Sequence, residues 1–299
     1  MYIGSVRFYK HIIMLLISTV ILLLVINILA LKAKYMNLER TSGNVSAIAA
    51  SSKHSSQNNS FFRYNQEKSS MPYQNDYPGL YADRTKIMKS ETDKVVYLTF
   101  DDGPSDRTRE ILDILDRYNI KATFFVIYKD DEKSKDIYRE IVNRGHTIAI
   151  HSASHRYQQI YNSMDDYLQD FNKLYKQIET VTGIKVQLFR FPGGSINPYD
   201  LNIYQQIAGE MLRRGFIYFD WNVSGGDSTS EVSANSIYNT VIKNVQKNNK
   251  AVVLLHDSEY KSSTVAALNK IIPDLHDTGY TFDKLDGSVT AITFTYLNY

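Results

Sequence analysis

Two adjacent carboxylates, Asp101 and Asp102, stand where the apolar run from Val95 to Phe100 stops and Gly103-Pro104 turns the chain. Side chains alternate faces along a strand, so neighbouring acids point apart and can hold different jobs, one on a metal and one on a proton. Further along, His151-Ser152-Ala153-Ser154-His155 carries two imidazoles four residues apart, a spacing that brings both to one side of a helical turn. With Asp102 they make a facial set. Three protein ligands with open positions describe a catalytic divalent site, most often Zn²⁺, whereas a structural site closes all four positions. Taken singly, each motif also reads as a plain Asp-rich turn or as hydrogen-bonded surface histidines. The remaining histidines, His11, His54, His146 and His276, read as non-catalytic.

These groups need a scaffold that brings distant segments together. Short apolar runs recur at Val95 to Phe100, Ala122 to Ile127, Thr147 to Ile150, Gln187 to Phe191, Phe216 to Asp220 and Ala251 to Leu255, and they read as strands. Between them, Asp106 to Tyr118 sets Ile111, Leu112, Leu115 and Tyr118 on one helical face after Ser105 as N-cap. Met164 to Thr182 does the same with Leu168, Phe171, Tyr175, Ile178 and Val181, ending at Gly183. Repeated strand-then-helix units imply a mostly parallel α/β domain. Asp101-Asp102, His151, Arg190, Asp220 and His256-Asp257 all fall at or near the C-terminal ends of these strands, where active sites of such folds sit. That one-sidedness points to a single pocket.

The N-terminal third is built differently. Residues 12–31 carry no charge and are almost wholly Ile, Leu and Val, a 20-residue length that matches a membrane-spanning helix. Ala47-Ile48-Ala49 lies too far beyond it for a signal-peptidase site, so an uncleaved anchor is expected. The Ser-, Asn-, Gln- and Tyr-rich stretch that follows reads as a flexible stalk spanning on the order of 40 Å. The domain expectation is therefore a cytoplasmic tail at 1–11, an anchor at 12–31, an extracytoplasmic linker at 32–93 and a catalytic domain at 94–299. A net charge of +2 over 299 residues shows no bias towards nucleic acid. The chain has no cysteine, which excludes disulfides and thiolate metal sites and leaves His and carboxylate as ligands. No serine nucleophile elbow, phosphate-binding glycine loop or His-Glu-x-x-His helix occurs.

On these motifs the domain resembles the NodB-homology polysaccharide deacetylases, carbohydrate esterase family 4. The resemblance implies a distorted (β/α) barrel in which Asp101 is the general base, Asp102, His151 and His155 hold the metal, and Arg190 orients the base. It further implies that His256 is the general acid, that Asp227 holds it, and that Pro192, Gly193 and Leu254 line the substrate. Two departures stand out: Gly193-Gly194-Ser195 replaces an aromatic residue after Pro192, and Ser228 rather than Trp follows Asp227. Asp220 is a second candidate for the acid's partner, and Trp221 reads either as core or as a sugar platform. The function implied is metal-dependent removal of acetyl groups from N-acetylhexosamine residues of a cell-wall polysaccharide, peptidoglycan first. The metal expected is Zn²⁺, with Co²⁺, Mn²⁺ or Ni²⁺ as alternatives. A monomer held at the cell membrane by its anchor is expected, with the catalytic domain outside and no nucleic-acid partner. The rivals are an exopolysaccharide or chitin-oligomer deacetylase and a non-catalytic wall-binding module.

Overall fold

A computed structural model describes residues 71–83, 88, 94–229 and 231–295. The tail at 1–11, the anchor at 12–31 and most of the linker lie outside the described residues. Among the described residues no helix is long and apolar enough to cross a membrane.

The strands are β1 (Val95–Asp101), β2 (Thr123–Ile127), β3 (Thr147–Ser152), β4 (Leu188–Phe189), β5 (Ile217–Tyr218), β6 (Val223–Ser224), β7 (Lys250–His256) and β8 (Thr281–Phe282). All described pairings are parallel, in the order β5-β4-β3-β2-β1-β7-β6, with β8 also on β1. No pairing among the described residues joins β5 to β6, so the sheet curls without closing and the expected barrel is a half-barrel. Helices α1 (Asp106–Arg117), α2 (Glu132–Asn143), α3 (Tyr157–Ile160), α4 (Met164–Thr182), α5 (Tyr204–Arg213), α6 (Ala234–Val245) and α7 (Ser262–Asp277) fill the connections.

Alternation along β1 decides what each residue does. Val96, Leu98 and Phe100 enter the large core under the helices, while Val95 and Tyr97 enter a smaller cluster with Phe125, Ala149 and Val252. Thr99 and Asp101 follow Tyr97 in that two-residue period, so polar groups sit above the smaller cluster at the strand's C-terminal end. Helix α1 starts where expected, with the Ser105 hydroxyl accepting from Arg107 N–H and Thr108 Oγ1 accepting from Ser105 N–H. Tyr118 departs from its expected buried face, because the helix stops at Arg117 and leaves Tyr118 exposed. Strands β4 and β5 are shorter than their apolar runs, though ladder-like bonds from Arg190 N–H to Ile150 O and from Phe219 N–H to Phe189 O carry the pairing one residue on.

The linker expected to run to residue 93 is not free throughout. Residues 71–82 are tied to the domain by the fully buried Arg214, whose guanidinium donates to the carbonyls of Tyr73, Asp76 and Tyr77 at 3.0, 3.0 and 3.1 Å and to Glu210 at 2.7 Å. Ala82 N–H returns a bond to Arg214 O at 2.9 Å. Leu80 drops into the core beside them. The polar composition of this stretch hides the clamp, since its bonds run from main-chain carbonyls that any sequence carries.

Candidate active site

Asp101 closes β1 and is buried, and Asp102 follows with φ of 75°. That left-handed turn breaks the strand alternation, so the two acids do not face apart as the strand period alone predicts. Both reach one imidazole: His151 Nε2 lies 3.8 Å from Asp101 Oδ2 and 3.6 Å from Asp102 Oδ1. Gly103 turns directly over a buried carboxylate, where a Cβ would stand 2.4 Å from Asp257 Oδ2. Asp257 accepts from Ser105 Oγ and Thr108 Oγ1, and burial pushes its carboxyl up to about 7. The Asp257 N–H donates to Asp101 O at 2.6 Å, so the turn that carries both acids is pinned from below.

His151, at the end of β3, is buried with Nδ1 3.0 Å from Arg190 O. A carbonyl can only accept, so Nδ1 carries the proton and Nε2 presents a lone pair. Burial lowers this imidazole to about 3, which keeps it neutral and fit to bind a cation at physiological pH. His155 reaches the same place without a helix. It stands in a loop with φ of 53°, and its Nε2 is 3.3 Å from Asp102 Oδ1. The loop owes its shape to Asp170 on α4, whose carboxylate accepts from Ser152 Oγ, Ala153 N–H and Ser154 N–H at 2.7, 2.7 and 2.8 Å. Ser152 Oγ in turn accepts from His155 N–H at 2.8 Å.

One ligand atom from each of Asp102, His151 and His155 lies within 4.8 Å of the others. Asp102 Oδ1 is buried and accepts no hydrogen bond, which is costly for a carboxylate oxygen unless a cation completes it. Two imidazoles and a carboxylate are the donor set a divalent ion such as Zn²⁺ takes, so the residues present fit the group.

Arg190 is fully buried and holds Asp101. Its guanidinium donates to Asp101 Oδ1 at 2.9 Å, Thr99 Oγ1 at 2.7 Å, Phe219 O at 2.9 Å and Asp220 O at 3.1 Å, and it lies 4.1 Å from the Phe125 ring centroid. Burial pushes the Asp101 carboxyl above its ordinary value, and the Arg190 and His256 charges oppose that rise. An acid poised in this way accepts a proton more readily than a solvated carboxylate does.

Asp101 and His256 are register partners on β1 and β7. His256 Nδ1 meets Asp227 Oδ1 at 2.9 Å, and its N–H donates to Asp227 Oδ2 at 2.9 Å. Thr264 Oγ1 donates to the same carboxylate at 2.7 Å, and Lys261 Nζ donates to the Asp227 carbonyl. Burial opposes the charge on His256, but Asp227 outweighs it and the imidazole sits above its ordinary value. Asp227 reaches this spot because Gly225 lets β6 close on β7: a Cβ there would lie 2.4 Å from Leu255 Cδ2.

Asp220, the second candidate for this role, is engaged elsewhere. It accepts from Ser195 N–H at 2.8 Å, Ser195 Oγ at 2.5 Å and Phe294 N–H at 2.6 Å, tying the loop after Pro192 to the C-terminal segment. Trp221 packs edge-on against Phe294 at 4.8 Å and lies 5.7 Å from Arg190, which makes it a wall of the buried guanidinium. Leu254 is buried in register with Thr99 yet belongs to neither apolar cluster. Pro192 O accepts from Tyr161 Oη at 2.8 Å. Gly193, at φ of 82°, is not the bare gap its sequence suggests, because a Cβ there would stand 2.7 Å from Tyr157 Cε1. Tyr157 and Asp170 are the residues here that motif reading misses, and Asp257, placed at its strand end by the sequence, proves to brace the Gly103 turn.

Comparison with known proteins agrees with this geometry. The family described as polysaccharide deacetylase matches residues 88–211. A peptidoglycan-N-acetylglucosamine deacetylase of Bacillus cereus is 33% identical over 192 residues, covering 64% of this chain and 85% of its own length. The Bacillus subtilis protein YheN is 30% identical over 233 residues, 76% of this chain and 79% of its own. The chain belongs to the polysaccharide deacetylase family. The solved catalytic domain of a peptidoglycan N-acetylglucosamine deacetylase from Eubacterium rectale superimposes with a TM-score of 0.67 at 40% identity, covering 72% of this chain and 98% of that one. As a polysaccharide deacetylase of carbohydrate esterase family 4, the protein is a hydrolase, and its Asp/His/His cluster lies at the C-terminal ends of β1 and β3.

Proposed function

We propose that this deacetylase removes acetyl groups from N-acetylhexosamine residues of a cell-wall polysaccharide, peptidoglycan foremost, with Zn²⁺ on Asp102, His151 and His155. The observation that carries the reading is the coexistence of that cluster with two separately held proton carriers, Asp101 on Arg190 and His256 on Asp227. When bound, the cation supplies Lewis acidity towards the acetamide carbonyl and towards a water. Asp101, held through Oδ1, takes the proton from the attacking water on Oδ2. The Gly193 N–H has no acceptor among the described residues and is free to donate to the oxygen on which charge develops. His256, protonated on both ring nitrogens with Nδ1 held by Asp227, gives its Nε2 proton to the departing amine. The C–N bond breaks, acetate leaves and an amino sugar remains. Leu254 offers an apolar wall for the acetyl methyl.

Residues 12–31 anchor the protein in the cell membrane, and the stretch that follows holds the catalytic domain outside, beside the wall. The uncharged apolar run supports this reading. Protease added to intact cells is expected to remove the C-terminal domain, and full protection would refute the topology. Acetate release from peptidoglycan, poly-N-acetylglucosamine and chitin oligomers, with and without chelator, tests the activity. Chelator-sensitive release greatest on peptidoglycan is expected. Release greatest on another glycan reassigns the substrate, and tight binding with no release makes the domain a wall-binding module.

A further inference from the structure

An aromatic row leads away from the metal-ligating side chains. His155 meets the edge of Tyr157 at a centroid distance of 5.2 Å, and Tyr157 meets Tyr199 at 5.2 Å. Tyr157 is half-buried and is held at two further points. Its ring occupies the space a Cβ on Gly193 would need, and Tyr161 packs against it at 6.3 Å. Tyr199 is the outer member and stays 53% exposed. It sits on a rigid support: Asn197 Oδ1 accepts from Tyr199 N–H at 2.9 Å, and Asn197 Nδ2 donates to Gly194 O at 3.0 Å and Asp200 Oδ2 at 2.7 Å. A large aromatic face held out to solvent on a braced loop beside a reaction centre costs little further entropy when a ligand covers it.

We propose that Tyr157 and Tyr199 form a stacking platform for consecutive pyranose rings of a polymeric N-acetylhexosamine chain. Tyr157 meets the ring whose acetamide reaches Asp101 and the metal ligands, and Tyr199 meets its neighbour. Pyranose rings carry apolar C–H faces between hydroxyl-bearing edges, so they cover an aromatic face while their hydroxyls remain in water. The platform explains how a glycine after Pro192 is compatible with a shaped groove, since the wall comes from α3 instead. The choice of sugar rests on the deacetylase reading above; the platform itself is tested by binding alone.

Calorimetric titration of the full-length chain in detergent, after chelation, with N-acetylglucosamine tetramer and with the monomer separates the two. Tyr199→Ala is expected to weaken tetramer binding about tenfold, in line with stacking energies on protein aromatics. Monomer binding is expected to change by less than about twofold, and Tyr199→Phe to bind tetramer as the unaltered chain does, because the face and not the hydroxyl does the work. Tetramer affinity unchanged in a folded Tyr199→Ala, a Tyr199→Phe as weak as Ala, or no tetramer binding by the unaltered chain would each overturn the platform. Since no turnover is read, a failure to release acetate from any glycan would sink the deacetylase reading without deciding this one.

Discussion

Replacing Asp170 by Asn keeps the shape of a side chain that touches no substrate and no metal, yet it is expected to cost metal affinity. The carboxylate accepts three hydrogen bonds from Ser152, Ala153 and Ser154, and through Ser152 Oγ it fixes the His155 N–H. An amide can direct only one oxygen at these donors, so at least one charge-assisted bond is lost and one N–H or O–H faces an NH₂. Bonds of this type contribute about 1.5–3 kcal/mol each. His155 has φ of 53°, a backbone state that persists only while its surroundings impose it, so the loop relaxes and the imidazole drifts from Asp102. Most of the loss should therefore appear when the metal must reassemble the site. The expected result is a 10- to 100-fold weaker Zn²⁺ affinity, about 1.4–2.8 kcal/mol, measured by competition with a chromophoric chelator. A folded Asp170→Asn protein that binds Zn²⁺ within twofold of the unaltered chain would mean that Asp170 does not hold His155 in place for the metal.

Asp101→Asn should lower kcat by on the order of 10²–10⁴ while metal stoichiometry stays unchanged, and metal loss instead would mean that Asp101 is a ligand. Asp227→Asn removes the group that holds His256 above its ordinary value and leaves burial to lower it, so the alkaline limb of the kcat/KM profile should move to lower pH; an unmoved limb refutes the pairing. The same pair gives a stability window. Hydrogen bonds from His256 and Thr264, with the His256 charge, outweigh burial and hold Asp227 below 3.8, so its share is complete above that pH and is lost as the pH falls through the native value. His256 is raised above 6.5, so its share is complete below that pH and is lost as the pH rises through the native value. Thermal unfolding of Asp227→Asn should therefore differ most from the unaltered chain between those limits. Arg214→Ala leaves Glu210 paired with Arg213 but removes the guanidinium donor from the carbonyls of Tyr73, Asp76, Tyr77 and Leu80, and should destabilise the domain by about 1–3 kcal/mol and raise amide exchange at 73–82 ahead of the sheet.

What the sequence makes legible is the part governed by periodicity and by residue type. The alternating apolar run from Val95, the face of α4 ending at Gly183, and the acids and histidines at strand ends all state their roles locally. The short strands β6 and β8 have no such period, and neither do the polar stretches that pack. Side-chain partners across the fold are harder still. Nothing near Asp170 in sequence marks it as the brace of the His155 loop, since its contact comes from how α4 lies against β3. By residue type and strand-end position Asp220 competes with Asp227, the acid the family resemblance favours, and the close approach of β6 to β7 at Gly225 is what brings Asp227 to His256. Gly193 reads as a missing wall until the chain brings Tyr157 over it. Local left-handed turns at Asp102 and His155 do the rest, placing ligands where neither a strand nor a helix period would put them.

If Asp102, His151 and His155 make this domain a metal-dependent deacetylase of wall glycan, as proposed, turnover must follow the metal occupancy of that one cluster. The measurement is acetate release from purified peptidoglycan by the chelated full-length chain as Zn²⁺ is titrated in. No release is expected before addition and full release near one equivalent of metal, with the His155→Ala chain silent at that ratio. Release by the metal-free chain, or none at any ratio of metal, would show that the cluster does not drive the reaction.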